Sequence, residues 1–313
     1  MKEKISIQNS KPLSEEKKSK KLRFYGDRKI KNQATYLHRT YGVSIGFTDG
    51  KNIDYLLEVK SIKKENENYS YRLTRKRFFK NGEQLHSFMD TLAEKSVDCL
   101  YPLDLKVAQN GEVIDVENQS DIEKRWKESR KKIAKTYHGE IVESYFNTMD
   151  TAVSTKENLY KCLANDMIYS LLFSNIYIAY TKEFQVEMLK EIPFMANYKS
   201  LVFNGMQQID RYVNTNNRFS IYYKGDLQPT NQLEKGHLDI CYQLDAEDYG
   251  LLRIDGKATV TFGHYEKTID FKIIAQKNLD KTKENTIKAH KALGIYDDPN
   301  EPEPKWYQLW KYL

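Results

Sequence analysis

Two hydrophobic periods divide this chain, and their order limits what it can fold into. Apolar and polar residues alternate with a period of two over residues 36–118 and again over 199–277. Between residues 120 and 173 the apolar positions recur at helical spacing. Strands, then helices, then strands argue for an α+β chain with antiparallel sheets, not for alternating βαβ units. The expected architecture is one composite domain over residues 32–277. In it a large curved antiparallel sheet is built from both ends of the chain, and the central helices pack on its concave face.

In the first block Tyr41, Val43, Ile45 and Phe47 share a face, and Asp49-Gly50 follows as a hairpin turn. Ile53, Tyr55, Leu57 and Val59 alternate next, then Tyr69, Tyr71 and Leu73, which predicts a three-stranded meander with one wet face. Residues 85–97 suit a short helix with Leu85, Phe88, Met89 and Leu92 on one side. Leu103, Leu105 and Val107 then turn at Asn110-Gly111 and return through Val113 and Val116.

In the middle block, Ser120 with Glu123 and Ser154 with Glu157 fit capping boxes. Ile122, Trp126, Ile133 and Tyr137 form the apolar stripe of one helix, opposite a face dense in Lys and Arg. Gly139 is the expected break. Ile141, Val142, Tyr145, Phe146 and Met149 make a second apolar face, and Leu159, Leu163, Met167 and Leu171 a third. In the last block Leu201 to Val213 fits neither period cleanly. Clear alternation marks Phe219–Tyr223, Leu238–Leu244, Leu252–Phe262 and Tyr265–Ile273, with Asp255-Gly256 suggesting a bulge and Gly263-His264 a turn.

The run from Tyr101 to Ile133, YPLDLKVAQNGEVIDVENQSDIEKRWKESRKKI, is a hairpin through Asn-Gly followed by a helix carrying a Trp. It resembles half-barrel proteins, the carriers of lipoproteins and lipids, in which a curved sheet cups apolar helices. The resemblance implies the fold, and it implies an apolar ligand only as an activity of that family, since fold does not determine function.

Charge and cysteine content narrow the setting. The whole chain carries +6 and its first 31 residues alone +7, so the remainder is close to neutral. The excess belongs to a Lys/Ser/Glu-rich arm, residues 1–31, which is expected to be disordered. A nucleic-acid role would be confined to that arm and to the 72–80 run, and nucleic acid is not the expected partner. Three cysteines without close spacing give no disulfide framework and no zinc signature. The first residues have no apolar h-region, and the longest apolar stretch, Met167 to Tyr180, is shorter than the about 20 residues of a membrane span. A cytoplasmic protein with no membrane span is expected.

No catalytic, cofactor or metal motif is present: no HExxH, P-loop, G-x-S-x-G or G-x-G-x-x-G. His237, Asp239 and Cys241 share one face of a strand, but three donors two apart span about 13 Å, too far to grip one ion without a bend, so an ordinary polar face is favoured. Arg72, Arg75, Lys76, Arg77 and Lys80 surround Phe78 and Phe79, a run able to contact phosphates but better read as a charged strand edge. Residues 278–313 are a polar linker, a PNEPEP spacer and the ending KWYQLWKYL. Aromatic anchors beyond a proline spacer point to a docking peptide. The expected function is a non-enzymatic protein–protein interaction or assembly subunit, with partner contacts through Trp306, Tyr307, Leu309, Trp310, Arg75 and Arg77. It needs no catalytic residue, cofactor or metal. Self-association or a protein partner is expected, and an apolar ligand held between sheet and helices is the alternative.

Overall fold

The computed structural model describes residues 20–276, apart from 25, 27, 33–36, 86, 195–199, 230–234 and 264. Eleven strands form one antiparallel sheet. They are β1 (His38–Phe47), β2 (Asn52–Glu65), β3 (Asn68–Lys80), β4 (Leu103–Val107), β5 (Val113–Val116), β6 (Gln185–Ile192), β7 (Leu201–Ile209), β8 (Arg218–Leu227), β9 (Lys235–Asp245), β10 (Leu251–Phe262) and β11 (Tyr265–Ala275). Their order across the sheet is β5-β4-β3-β2-β1-β11-β10-β9-β8-β7-β6. Two meanders, β1–β5 and β6–β11, are therefore joined where the first strand pairs with the last, Tyr41 opposite Ala275. The expected α+β class and the single sheet drawn from both ends of the chain are what the structure has.

The edge strands β5 and β6 are consecutive in sequence, so everything between them must travel from one edge of the sheet to the other. That connection holds α2 (Gln119–Ile133), α3 (Glu140–Val153), α4 (Lys156–Ala164) and α5 (Met167–Leu172), while α1 (Phe88–Val97) lies between β3 and β4. Laid flat, the edges would stand ten strand spacings apart, about 48 Å. Instead both meet Ser174. The Lys190 Nζ on β6 donates to Ser174 Oγ at 2.7 Å, and a Cβ on Gly111, in the β4–β5 turn, would stand 2.7 Å from the Ser174 carbonyl. The Tyr177 amide donates to the Asn110 carbonyl at 3.3 Å beside it. The sheet is thus strongly curved, and the segment after α5 stitches its edges together.

The apolar stripes fill the space between sheet and helices. Ile122, Trp126 and Ile133 of α2, Val142, Phe146 and Val153 of α3, and Leu159 and Leu163 of α4 are buried in one core with Tyr41, Tyr71, Leu73, Tyr223 and Tyr242 of the sheet. Tyrosines suit this core for a specific reason. Irregular segments cross the sheet's face without ladder partners, and a ring that buries its body can satisfy a carbonyl with its hydroxyl. Tyr69 donates to the Asn32 carbonyl at 2.5 Å, Tyr177 to that of Tyr249 at 2.9 Å, and Tyr249 to that of Arg23 at 2.7 Å.

Several expectations are corrected. Residues 1–19 lie outside the described residues, but the rest of the expected arm is packed. Leu22 and Ile30 are buried, and the chain there bonds to Arg211, Val213, Ile178 and Tyr180. The helix expected to start at Ser120 begins at Gln119, and Asn118, two residues before Ser120, holds the N-cap position without a side-chain capping bond. The Asn118 side chain reaches back to accept from the Asp104 amide and donate to the Pro102 carbonyl, so α2 is tied to β4 and no Ser120–Glu123 box forms. Thr155, not Ser154, caps α4, and Asp166 starts a separate α5. Phe88, Met89 and Ile141 are exposed; α1 turns inward only with Leu92 and Ser96. The ladder runs unbroken through Asp255 and Gly256, and its irregularity falls at Leu251–Arg253. No described helix is long and apolar enough to cross a membrane.

Candidate functional site

Two places concentrate unusual chemistry: the seam where the sheet edges meet, and a groove along α2.

The seam is built around Lys190. In an edge strand whose inward residues are otherwise Val186, Met188 and Ile192, a lysine points into the core. Its ammonium lies 5.2 Å from the Tyr223 ring centre and 5.3 Å from that of Tyr242. Tyr223 can lie flat because glycines face each other across β7 and β8, Gly205 opposite Gly225. A Cβ on Gly225 would stand 2.5 Å from the Tyr223 hydroxyl. That hydroxyl donates to the Phe203 carbonyl at 2.8 Å. Around this platform the buried Oδ1 of Asn175, the Oε1 of Gln207 and the hydroxyl of Tyr242 have no hydrogen-bond partner among the described residues. Burial brings the Lys190 amine down to about 7, opposed by the nearby Glu112 carboxylate. Burial likewise raises the Tyr242 and Tyr180 phenols and takes Tyr223 to about 12. The arrangement fastens edge strand β6 to the crossing segment through one buried amine. It is also the inward-pointing edge charge that deters strands of other molecules from adding to a sheet. Sequence reasoning missed it because β6 itself was missed; a lysine at an inward position was the only trace.

One cavity among the described residues lies between the curved sheet and the segment that crosses it. Its volume is about 40 Å³, and it is lined by Tyr41, Tyr71 and Leu251 of the sheet and Leu172, Phe173 and Tyr177 of the crossing segment. That admits a water or a few, whereas small-molecule sites run to about 300–1,000 Å³.

The groove is on the outside. It has a volume of about 540 Å³ and is lined by Lys127, Arg130, Lys131 and Ala134 over Trp126 and Val153, which are themselves buried. Trp126 Nε1 donates to Asp150 at 2.6 Å, and Arg130 pairs with the same carboxylate. Lys127 is taken by Glu123 at 2.6 Å, which holds the Glu123 carboxyl below its usual range. Lys131 and Lys135 are exposed and form no ion pair among the described residues.

The residues singled out in the sequence are distributed differently. Arg75 is drawn into the protein: it pairs with Asp98 at 2.8 Å and lies 5.0 Å from the Phe78 ring and 5.5 Å from that of Tyr101. Its neighbours are paired in the same way, Arg72 with Asp104, Lys76 with Glu58 and Lys80 with Asp90. The run therefore ties β3 to β2, β4, α1 and the turn after α1. Arg77 sits at a bulge with φ of 55°. His237 lies between Asp226 at 2.9 Å and Asp239 at 3.1 Å. Burial raises the Cys241 thiol, which disfavours the thiolate a metal would need. No group of three metal-ligating side chains occurs among the described residues. Trp306, Tyr307, Leu309 and Trp310 lie outside the described residues.

No family model matches this chain, and no curated protein matches it. Among solved structures, one of lipovitellin, concerned with lipid–protein interactions, aligns with 78% of this chain at 9% identity and a TM-score of 0.42. The chain spans 25% of that protein's length. The half-barrel resemblance drawn from residues 101–133 is thus met by a weak structural likeness at low identity.

Proposed function

We propose that the protein is a non-enzymatic interaction or assembly subunit whose binding surface lies outside the half-barrel. The observation that carries this reading is the contrast between its two spaces. The cavity between Tyr41, Tyr71, Phe173 and Tyr177 has about 40 Å³, while the open groove on α2 offers about 540 Å³. Cytoplasmic placement belongs to the same proposal, and three free cysteines suit a reducing compartment. A second reading, an apolar ligand within the half-barrel, is favoured by the apolar lining of the interior cavity. It requires segment 172–177 to move aside.

Native mass spectrometry of the protein isolated from its own cell separates the two. The interaction reading expects a polypeptide partner or a second copy at fixed stoichiometry and no retained lipid. A stoichiometric lipid with no bound polypeptide would refute it.

A further inference from the structure

The charge excess of this chain is mounted on the folded body, and we infer that the face carrying it, built by residues 20–31 against residues 179–184 and 211–212, binds single-stranded nucleic acid. This face is separate from the α2 groove and its role does not depend on the groove's.

The first observation is where the charge sits. Of the +7 in residues 1–31, the stretch KKLRFYGDRKIK at residues 20–31 holds six cations and one carboxylate, or +5. The structure lays this stretch along the body as a strap. Lys21 pairs with Tyr212 and Lys29 with Ala179, each as an isolated antiparallel bridge. The Leu22 amide donates to the Arg211 carbonyl at 3.0 Å, the Val213 amide to that of Lys20 at 2.8 Å, and the Tyr180 amide to that of Arg28 at 3.3 Å. Leu22 and Ile30 are buried beneath it, while Lys20, Lys21 and Arg23 are exposed. The Phe184 ring is the meeting point, 5.5 Å from that of Phe24 on the strap and 4.7 Å from the Arg211 guanidinium. Lys182, two residues before it, is exposed.

The second observation is that the cations here are uncommitted. Lys20, Lys21, Arg28, Lys29 and Lys182 form no ion pair among the described residues. The cations of β3 differ in this respect, for Arg72, Arg75, Lys76 and Lys80 are each held by a carboxylate. Asp210, beside Arg211, is turned to β8 and accepts from the Ser220 amide at 2.8 Å, so Glu183 is the exposed carboxylate next to Lys182. Cations without partners are what a chain of phosphates needs, because each phosphate they neutralise releases a condensed counterion.

The third observation is aromatic. Tyr212 is 47% exposed, opposite Lys21 and adjacent to Arg211. A ring standing among cations offers a base a plane to stack on while the phosphates meet the lysines. Among the described residues of this face no Leu, Ile, Met or Phe is exposed. A bilayer would therefore find charge here but no apolar anchor to insert.

The test is fluorescence anisotropy of a labelled single-stranded oligonucleotide of mixed sequence, titrated with the full chain at rising salt. The wild type is expected to bind, with log K falling linearly against log salt concentration. Lys21→Glu combined with Lys182→Glu, with circular dichroism unchanged, is expected to weaken binding at least about tenfold and to flatten the salt slope by about 1.4, two phosphate contacts at about 0.7 each. Tyr212→Ala is expected to weaken binding about fivefold or more at an unchanged slope, as loss of a stacking contact should. Lys131→Glu combined with Lys135→Glu places the same charge change on α2 and is expected to bind as the wild type does. Deleting residues 1–19, which hold five cations and three carboxylates, is expected to keep most of the affinity. An unbound wild type, an equal loss in the α2 control, or a loss of binding on deletion of residues 1–19 alone would overturn the assignment. Capture of the protein by phosphatidylserine-containing vesicles, with the oligonucleotide left free, would overturn it in favour of a membrane surface.

Discussion

Replacing Lys190 with methionine should change how stability depends on pH more than it changes stability at any one pH. In the unfolded chain the amine titrates near its ordinary 10.5; in the fold, burial between Tyr223 and Tyr242 brings it to about 7. Between those limits the unfolded state binds the proton that the folded state has released, so stability rises with pH. The slope is at most about 1.4 kcal/mol for each pH unit, which sets an upper bound of roughly 4–5 kcal/mol for the whole rise from about 7 to 10.5. Near pH 10 a second set of groups acts with the opposite sign. The phenols of Tyr101, Tyr71, Tyr180 and Tyr242 are raised by burial, so the unfolded chain ionises first and stability falls from pH 10 upward. The Cys99 thiol, raised to about 12, contributes in the same direction from about pH 9. The wild type should therefore be most stable between about pH 8 and 10. In Lys190→Met a linear apolar side chain fills the same channel, the rise between pH 7 and 9 should vanish, and at pH 6 the variant should be the more stable protein. The assay is urea unfolding at unit pH intervals from 6 to 10, followed by near-UV circular dichroism. A wild-type profile flat from pH 7 to 9, or an equal slope in the variant, would refute the buried-amine account.

Trp126→Ala should lose about 3–5 kcal/mol, because it empties core volume and strips Asp150 of a donor; chemical denaturation measures it. Deleting residues 1–19 should leave Tm nearly unchanged, whereas deleting 1–31 removes buried Leu22 and Ile30 and should cost roughly 3–5 kcal/mol, read by differential scanning calorimetry. Gly225→Ala should cost about 1–3 kcal/mol, since its Cβ would meet the Tyr223 ring, and should perturb the titration of Lys190 above that ring; amide-detected NMR of the seam reports both.

The fold was legible where a single face is buried, because a one-sided sheet imposes strict alternation. The meander from Tyr41 to Leu73 and the strands from Phe219 to Ile273 declare themselves in this way. Strand β6 did not, for its inward row is broken by Lys190 and its outward row carries the exposed Leu189, which inverts the pattern at those two positions. Leu22 and Ile30 stand eight residues apart in a polar stretch with no period. Their burial is decided by carbonyl partners elsewhere in the chain, which composition cannot reveal. The role of Asn118 was hidden for a related reason: its partners, Asp104 and Pro102, belong to another strand. The groove was half visible, since the Trp126 stripe and the charged face of α2 are periodic, but Val153 beneath it belongs to a second helix.

The pairing of β1 with β11 also has a temporal side. During synthesis β1 can gain β2 on one flank almost at once, but its other flank waits for residues some 230 positions later. At about 5–20 residues per second that is roughly 10–50 s, during which a hydrogen-bonding edge with Tyr41, Val43 and Ile45 behind it stays open. Each meander is local and quick to form, whereas their joining carries the high contact order and sets the pace. The nascent chain is thus most exposed to aggregation in its oldest part, and a holding chaperone that recognises open strand edges would act there until the ribosome delivers the last strand.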